Sequence, residues 1–217
     1  MKTDYSINIL KSGLYTLREA ANYSRLHYKT LYRWAEISGI KILDDNKIMS
    51  FLDFIQALAI RDIRRQHNIP LQKIREALEI AKKKYNVDYP FAKEHTTYLF
   101  GKDIYISLEK EENPIQLSGK GEGQLAMRKI IELYMKDLCF GSTGFAIEYK
   151  PIQGIIMNPK FRFGEPLVER VKIPAIVLWE AFQSEGSLEA ASEAYGVTIE
   201  DVYTASKYIE TLDLKAA

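Results

Sequence analysis

Lys29 and Arg33 stand four residues apart in the stretch Tyr28-Lys29-Thr30-Leu31-Tyr32-Arg33-Trp34, a spacing that puts both cations on one face of a helix. Tyr28, Thr30 and Tyr32 flank them on that face. Guanidinium and ammonium groups suit phosphate oxygens or guanine, and hydroxyls suit base edges, so the chemistry on offer is recognition of duplex DNA. Arg25 adds a cation just upstream, and Lys41 and Lys47 fall where a wing would carry them to the phosphate backbone. A solvated helix face also collects lysine and arginine. What favours DNA is their combination with the elements that would position them.

Other chemistries lack their parts. Gly119-Lys120-Gly121-Glu122-Gly123 has neither the Lys-Ser/Thr ending of a phosphate loop nor the spacing of a dinucleotide site, and reads as a bend. The single cysteine, Cys139, has no histidine near it in sequence and reads as buried packing. His27, His67 and His95 are scattered without metal-ligand spacing. The acid pairs Asp44-Asp45, Glu111-Glu112 and Glu200-Asp201 sit in turns or at helix starts, where structure explains them. The expectation is a protein that is not an enzyme and holds no cofactor and no metal.

The elements around Lys29 and Arg33 follow from local signals. Thr16 with Glu19 forms a capping box that starts a helix carrying the small residues Ala20 and Ala21. A turn over Tyr23 to Leu26 leads to a second helix from about Tyr28 to Ser38, stopped by Gly39, with Leu31 packing back and Trp34 as a large inward anchor. Ile40 to Leu43, the turn Asp44-Asp45-Asn46, and Lys47 to Met49 alternate in polarity like a hairpin. Ser50 with Asp53 caps a helix to about Gln66, and Pro70 opens another from about Leu71 to Lys84. Residues 1–13 read as a short polar leader. Together these predict a winged helix-turn-helix, with residues 1–95 as the DNA-binding domain.

Past Pro90 the period changes from 3.6 to 2. Residues 96–108 predict a hairpin, 115–117 a third strand, 124–138 a helix, and 145–149 and 155–157 two more strands. Residues 96–157 thus form a connecting region. Residues 158–217 predict a helical module with helices at about Ala175 to Ser184, Leu188 to Tyr195 and Ile199 to Leu212. The fold class expected is α+β, mainly helical.

Charge divides along the same line. Residues 1–95 hold 17 Lys and Arg against 11 Asp and Glu, a net of +6, and residues 96–217 hold 13 against 18, a net of −5. Ser187 to Val202 has helix-turn-helix spacing, with Gly196 at the turn. Residues 180–217, however, carry eight acids against two lysines, and phosphate would repel them. Glu189, Glu193, Glu200, Asp201, Tyr203 and Tyr208 are therefore expected to contact a protein. A homodimer on a two-fold operator is expected as well, pairing through Val197, Val202, Tyr203 and Tyr208. No apolar run reaches the ~18 residues of a membrane span and no signal pattern opens the chain. A reducing, cytoplasmic setting is expected.

Tyr15 to Trp34 resembles the MerR-type winged helix, and Ile48 to Phe54, Ile60 to Arg64 and Leu71 to Arg75 continue in that style. Arg25 stands where that group has a small turn residue. MerR-type regulators go on to a long dimerising helix, whereas this chain goes to strands, which argues against metal sensing. Asn158-Pro159, Phe163-Gly164-Glu165-Pro166, Lys172-Ile173-Pro174 and the run from Gly186 to Val202 resemble a short bacterial domain found in antitoxins of PIN-domain ribonucleases. With Tyr89-Pro90-Phe91-Ala92 and Gly123-Gln124-Leu125 between them, the parts are similar in order to the two-domain VapB-type antitoxins over nearly the whole chain. Arg170-Val171-Lys172 departs from the usual Gly-Thr-Arg step, keeping a cation and losing the glycine. The resemblance implies a DNA-binding antitoxin that neutralises a PIN-domain toxin and represses its own operon. The alternative is a stand-alone MerR-like regulator.

Overall fold

The computed structural model describes residues 7–38, 40, 42, 47–94, 97–100, 103–107, 115–117, 131–132 and 137–212. It is an α+β protein that divides into two compact units, Met1–Ala146 and Ile147–Ala217.

The first unit is built on α4 (Phe51–His67), whose first ten residues are all buried. Ser50 caps it by accepting from the Asp53 N–H at 3.1 Å. Asn68 ends it in the left-handed conformation, and α5 (Leu71–Tyr85) follows Pro70. The expected polar leader instead holds a short helix, α1 (Ile7–Lys11), whose Leu10 is fully buried and which packs on α4. Next come β1 (Gly13–Thr16), α2 (Leu17–Tyr23), α3 (Tyr28–Ser38) and β2 (Ile48–Ser50).

The strand at Ile48 forms, and its partner among the described residues is β1. The two are antiparallel, with Tyr15 opposite Met49 and Thr16 opposite Ile48. Tyr15 and Met49 are both buried, and Tyr15 packs against Phe54 of α4 with ring centroids 5.0 Å apart. Burial of these apolar side chains over α4 is what selects the pairing. Of the expected first wing strand, Lys41 and Leu43 lie outside the described residues, as does the turn 44–46.

A four-stranded antiparallel sheet follows in the order β5 (Ile115–Gln116), β4 (Asp103–Ile106), β3 (Thr97–Phe100), β6 (Ile131–Glu132). Helix α5 packs against β4, where Lys73 Nζ meets Asp103 Oδ1 at 2.7 Å. Of the helix expected over 124–138, residues 124–130 and 133–136 lie outside the described residues, and the expectation is corrected at the described ones. Ile131 and Glu132 pair antiparallel with Leu99 and Tyr98, so their backbone groups bond across a sheet and not along a helix. Leu138 belongs to β7 (Leu138–Phe140). Cys139, expected to be buried, is exposed in that strand.

The second unit takes in strands that were expected to belong to the connecting region. β8 (Ala146–Ile152) pairs with β9 (Ile155–Met157), and β9 with β10 (Leu167–Val168). Three helices, α6 (Ala175–Glu185), α7 (Leu188–Tyr195) and α8 (Ile199–Glu210), pack on one another. Their stops are local: Gly186 and Gly196 end α6 and α7 in the left-handed conformation, and Ser187 and the Thr198–Asp201 capping box open the next helices. Ala181, Ala191 and Val202 form the centre, joined by Phe182, Leu188 and Val197. Among the described residues no helix is long and apolar enough to cross a membrane, and no group of three or more His, Cys, Asp or Glu residues is placed to hold a metal.

Candidate nucleic-acid interface

Helix α3 is the element that carries the expected contact residues. Its apolar line is Leu31 and Ala35, both buried, packed toward α2, α4 and α5. Ala20 and Ala21 of α2 are buried as expected of a close helix crossing. The expected inward anchor Trp34 is only partly buried, and Ala35 takes the inward position. Leu31 and Ala35 lie four apart on one line, and Trp34 falls on its shoulder.

With that line inward, Lys29 and Arg33 are exposed on the outer side, and Tyr28, Thr30 and Tyr32 are part-exposed. Lys47 is exposed and lies across from them, its Nζ 4.9 Å from the centroid of the Tyr32 ring. The Lys47 carbonyl also accepts from Leu17 N at 2.9 Å, fixing this residue at the start of α2. A hydrogen bond to Glu36, and the charge of that carboxylate, push the Tyr32 hydroxyl above its ordinary pKa. Lys41 lies outside the described residues. The structure therefore brings Lys29, Tyr32, Arg33 and Lys47 onto the α3 surface.

Arg25 sits in the turn between α2 and α3, exposed, with φ of +53°. Asparagine or glycine takes this conformation more easily, and an ordinary L-residue there costs about 1–2 kcal/mol. The turn is fastened by local bonds from Ser24 N to Ala20 O, Arg25 N to Asn22 O and Leu26 N to Ala21 O.

Two residues that sequence reasoning missed complete the support. Arg61 Nη1 donates to Ser24 O at 2.9 Å, and Arg65 Nη2 donates to Arg25 O at 3.0 Å. Both come from α4, one turn apart, and both reach carbonyls at the C-terminal end of α2, where cations are favoured. Arg61 also donates from Nε to Asp62 at 2.7 Å. The sequence signal was the cluster Arg61, Arg64, Arg65, which resembles any basic helix end. At the other side of the turn, His27 carries the start of α3: its carbonyl accepts from Thr30 N and Leu31 N, and its Nδ1 accepts from Lys29 N at 3.3 Å.

The expected partner residues of the second unit separate into two groups. Glu189, Glu193, Glu200 and Tyr203 are exposed. Tyr208 is corrected: it is completely buried in the helical core. Asp201 is corrected too, being buried and engaged within the chain by Thr198 and Arg170. Tyr203 and Tyr208 lie five residues apart, about 140° around a helix, so one of them must face inward. Of the expected dimer residues, Val202 is fully buried and Val197 packs on the same core, leaving Tyr203.

No known protein family matches the sequence, and no curated protein matches it either. Among solved structures it is similar to the X-ray crystal structure of Rv2018 from Mycobacterium tuberculosis, with a TM-score of 0.67 over 90% of this chain and 98% of that one. At 18% identity the similarity shows a shared fold.

Proposed function

We propose that this protein is a sequence-specific DNA-binding protein that reads duplex DNA through α3, in the manner of a winged helix-turn-helix. The observation that carries the reading is the exposed pair Lys29 and Arg33, held on the outer side of α3 with Lys47 and Tyr32 beside them. The β1–β2 ribbon presents Lys47 beside Tyr32 of α3. The resemblance of the sequence to VapB-type antitoxins supports a fuller role: the protein represses its own operon and neutralises a PIN-domain ribonuclease. Within the second unit, the exposed Glu189 and Glu193 of α7 are the carboxylates able to meet the basic surface that a ribonuclease offers to RNA.

The test is a shift assay on the DNA upstream of the protein's own gene, at fixed salt. Lys29→Ala with Arg33→Ala should weaken binding by about 1–3 kcal/mol and leave thermal stability unchanged. Equal binding by this variant removes α3 from the groove. For the antitoxin role, Glu189→Lys with Glu193→Lys should lose protection in cells co-expressing the adjacent gene's product while DNA binding persists. Absence of a toxic neighbouring gene would leave a stand-alone regulator.

A further inference from the structure

The first unit holds a cavity of about 240 Å³ between α4, α5, the end of α1 and the segment 87–90. Leu78, Val87 and Pro90 give it apolar walls and are buried. Asp53 and Gln56 line it from α4, 3% and 7% exposed, and their spacing of three sets them on one face of that helix. Gln56 accepts from Phe91 N through Oε1 at 3.3 Å, which fixes the oxygen end of its carboxamide. The NH2 end, two donors, makes no hydrogen bond among the described residues. A buried donor left in that state is costly, and this one belongs to a residue that lines a cavity.

Asp53 takes the Ser50 hydroxyl on Oδ2, and a carboxylate accepts at about four positions in all. Tyr89 lines the same cavity with φ of +53°, a conformation that bulky residues rarely hold. Burial, then the charges of Asp53 and Asp88, push its hydroxyl up to about 12, so the ring is a neutral phenol at neutral pH. At the mouth most charges are matched. Lys82 meets Asp88 at 3.6 Å, and Glu79 is held by Arg75 at 2.8 Å and Lys83 at 3.1 Å. Lys11 differs: its Nζ lies 5.5 Å from the centroid of the Tyr89 ring, and it forms no ion pair among the described residues. The end of a helix suits a lysine, but that does not account for the donor and the carboxylate inside.

These groups narrow the ligand. A simple anion would meet Asp53 inside, and a simple cation would meet the donors of Gln56. A ring edge with an acceptor beside a donor satisfies both, and purines have one: O6 beside N1–H in guanine, N1 beside the amino group in adenine. Reading that edge by hydrogen bonds while apolar and aromatic side chains cover the ring is how proteins hold an unstacked base. The volume equals on the order of eight waters, enough for the base and too little for sugar and phosphate as well. Those would lie at the mouth, where Lys11 stands.

We propose that this cavity binds a purine nucleoside monophosphate, its base edge on Gln56 and Asp53, its ring beside Tyr89 and its phosphate on Lys11. The assignment is independent of the DNA reading, because none of these residues lies on α3.

The experiment is calorimetric titration of the full chain with GMP and with AMP, with circular dichroism to confirm folding of each variant. At least one of the two should bind, one per chain. The matching nucleoside should bind roughly 10-fold more weakly for want of the phosphate, and ribose 5-phosphate should not bind. Gln56→Glu keeps the acceptor for Phe91 N and removes the donors, and should weaken the nucleotide at least ~10-fold. Lys11→Ala should erase the difference between nucleotide and nucleoside. Lys29→Ala with Arg33→Ala should bind the nucleotide as the wild type does, which separates this site from the α3 surface. Absence of binding by both nucleotides at millimolar concentration overturns the proposal, as does ribose 5-phosphate binding as tightly as they do. So does nucleotide binding that Gln56→Glu leaves unchanged or that the α3 variant abolishes. If Gln56→Glu fails to fold, Lys11→Ala, at an exposed position, decides: an unchanged gap between nucleotide and nucleoside overturns the site.

Discussion

Arg170 grips Asp201 with two hydrogen bonds, Nε donating to Oδ1 at 3.0 Å and Nη2 to Oδ2. The same carboxylate accepts from Thr198 N at 2.8 Å and so closes the cap of α8. Arg170, which stands where the Gly-Thr-Arg step has its glycine, is thus engaged within the chain. Hydrogen bonding to Arg170, then to Thr198, holds the Asp201 carboxyl down at about 2.

Asp201→Asn should therefore destabilise the second unit by about 1–2 kcal/mol at neutral pH, discounted because Arg170 lies largely in solvent. A pKa lowered by folding stabilises the native state at pH above the unfolded value near 4. That contribution fades as pH falls from about 4 to about 2. Urea unfolding of wild type and variant should show a gap at pH 7 that closes over this window. A gap of the same size at pH 2 would contradict the assignment.

Arg25→Gly should move two observables in opposite directions. Relief of the left-handed strain raises stability by up to about 1 kcal/mol, offset in part by the freedom of glycine in the unfolded chain. Loss of a cation at the turn should weaken DNA binding and lower its salt slope by about one. A more stable variant with unchanged salt slope would leave Arg25 a purely structural residue.

Gly154 turns β8 into β9 with φ of +85°, and a Cβ there would meet Thr204 Cγ2 at 3.0 Å. Gly154→Ala should cost about 1–3 kcal/mol, from the backbone conformation and the contact together. Adding Thr204→Ser removes the methyl and should recover part of the loss. Additive losses in the double variant, by thermal melting, would count against the contact.

Tyr208→Ala should cost about 3–5 kcal/mol, as truncation of a fully buried aromatic does. Tyr203→Ala should change stability by about 0.5 kcal/mol or less. The contrast in chemical denaturation checks that the two tyrosines face opposite ways. Equal effects would contradict the burial pattern of α8.

Signals confined to a few residues are legible in the sequence alone. Thr16 with Glu19, Ser50 with Asp53, and the glycine stops Gly186 and Gly196 act within one turn, and α3 and α7 run over the spans expected. Pairings set by distant partners are not legible. β2 pairs with β1, roughly thirty residues earlier, and Ile131 pairs with Leu99 at the edge of β3. Of the contact residues, Lys29, Arg33 and Lys47 are exposed, as the periodicity requires. Arg61 and Arg65 give no local sign of their role because their targets are carbonyls of residues about forty positions earlier. Tyr208 does not share the outer face with Tyr203, and period 3.6 by itself forbids it.

The pairing of Tyr15 with Met49 also bears on how the first unit acquires its shape. The α2–α3 contacts join near neighbours in sequence and can form early, in microseconds. The ribbon joins positions on the order of thirty residues apart, a closure that costs roughly 3 kcal/mol of chain entropy before burial repays it. The two helices can thus assemble while Lys47 still wanders, and closure of the ribbon is the later, costlier step that brings it to Tyr32. Amide exchange at Tyr15 and Met49 would then report opening of the whole unit, while the ends of α2 and α3 exchange through smaller local fluctuations.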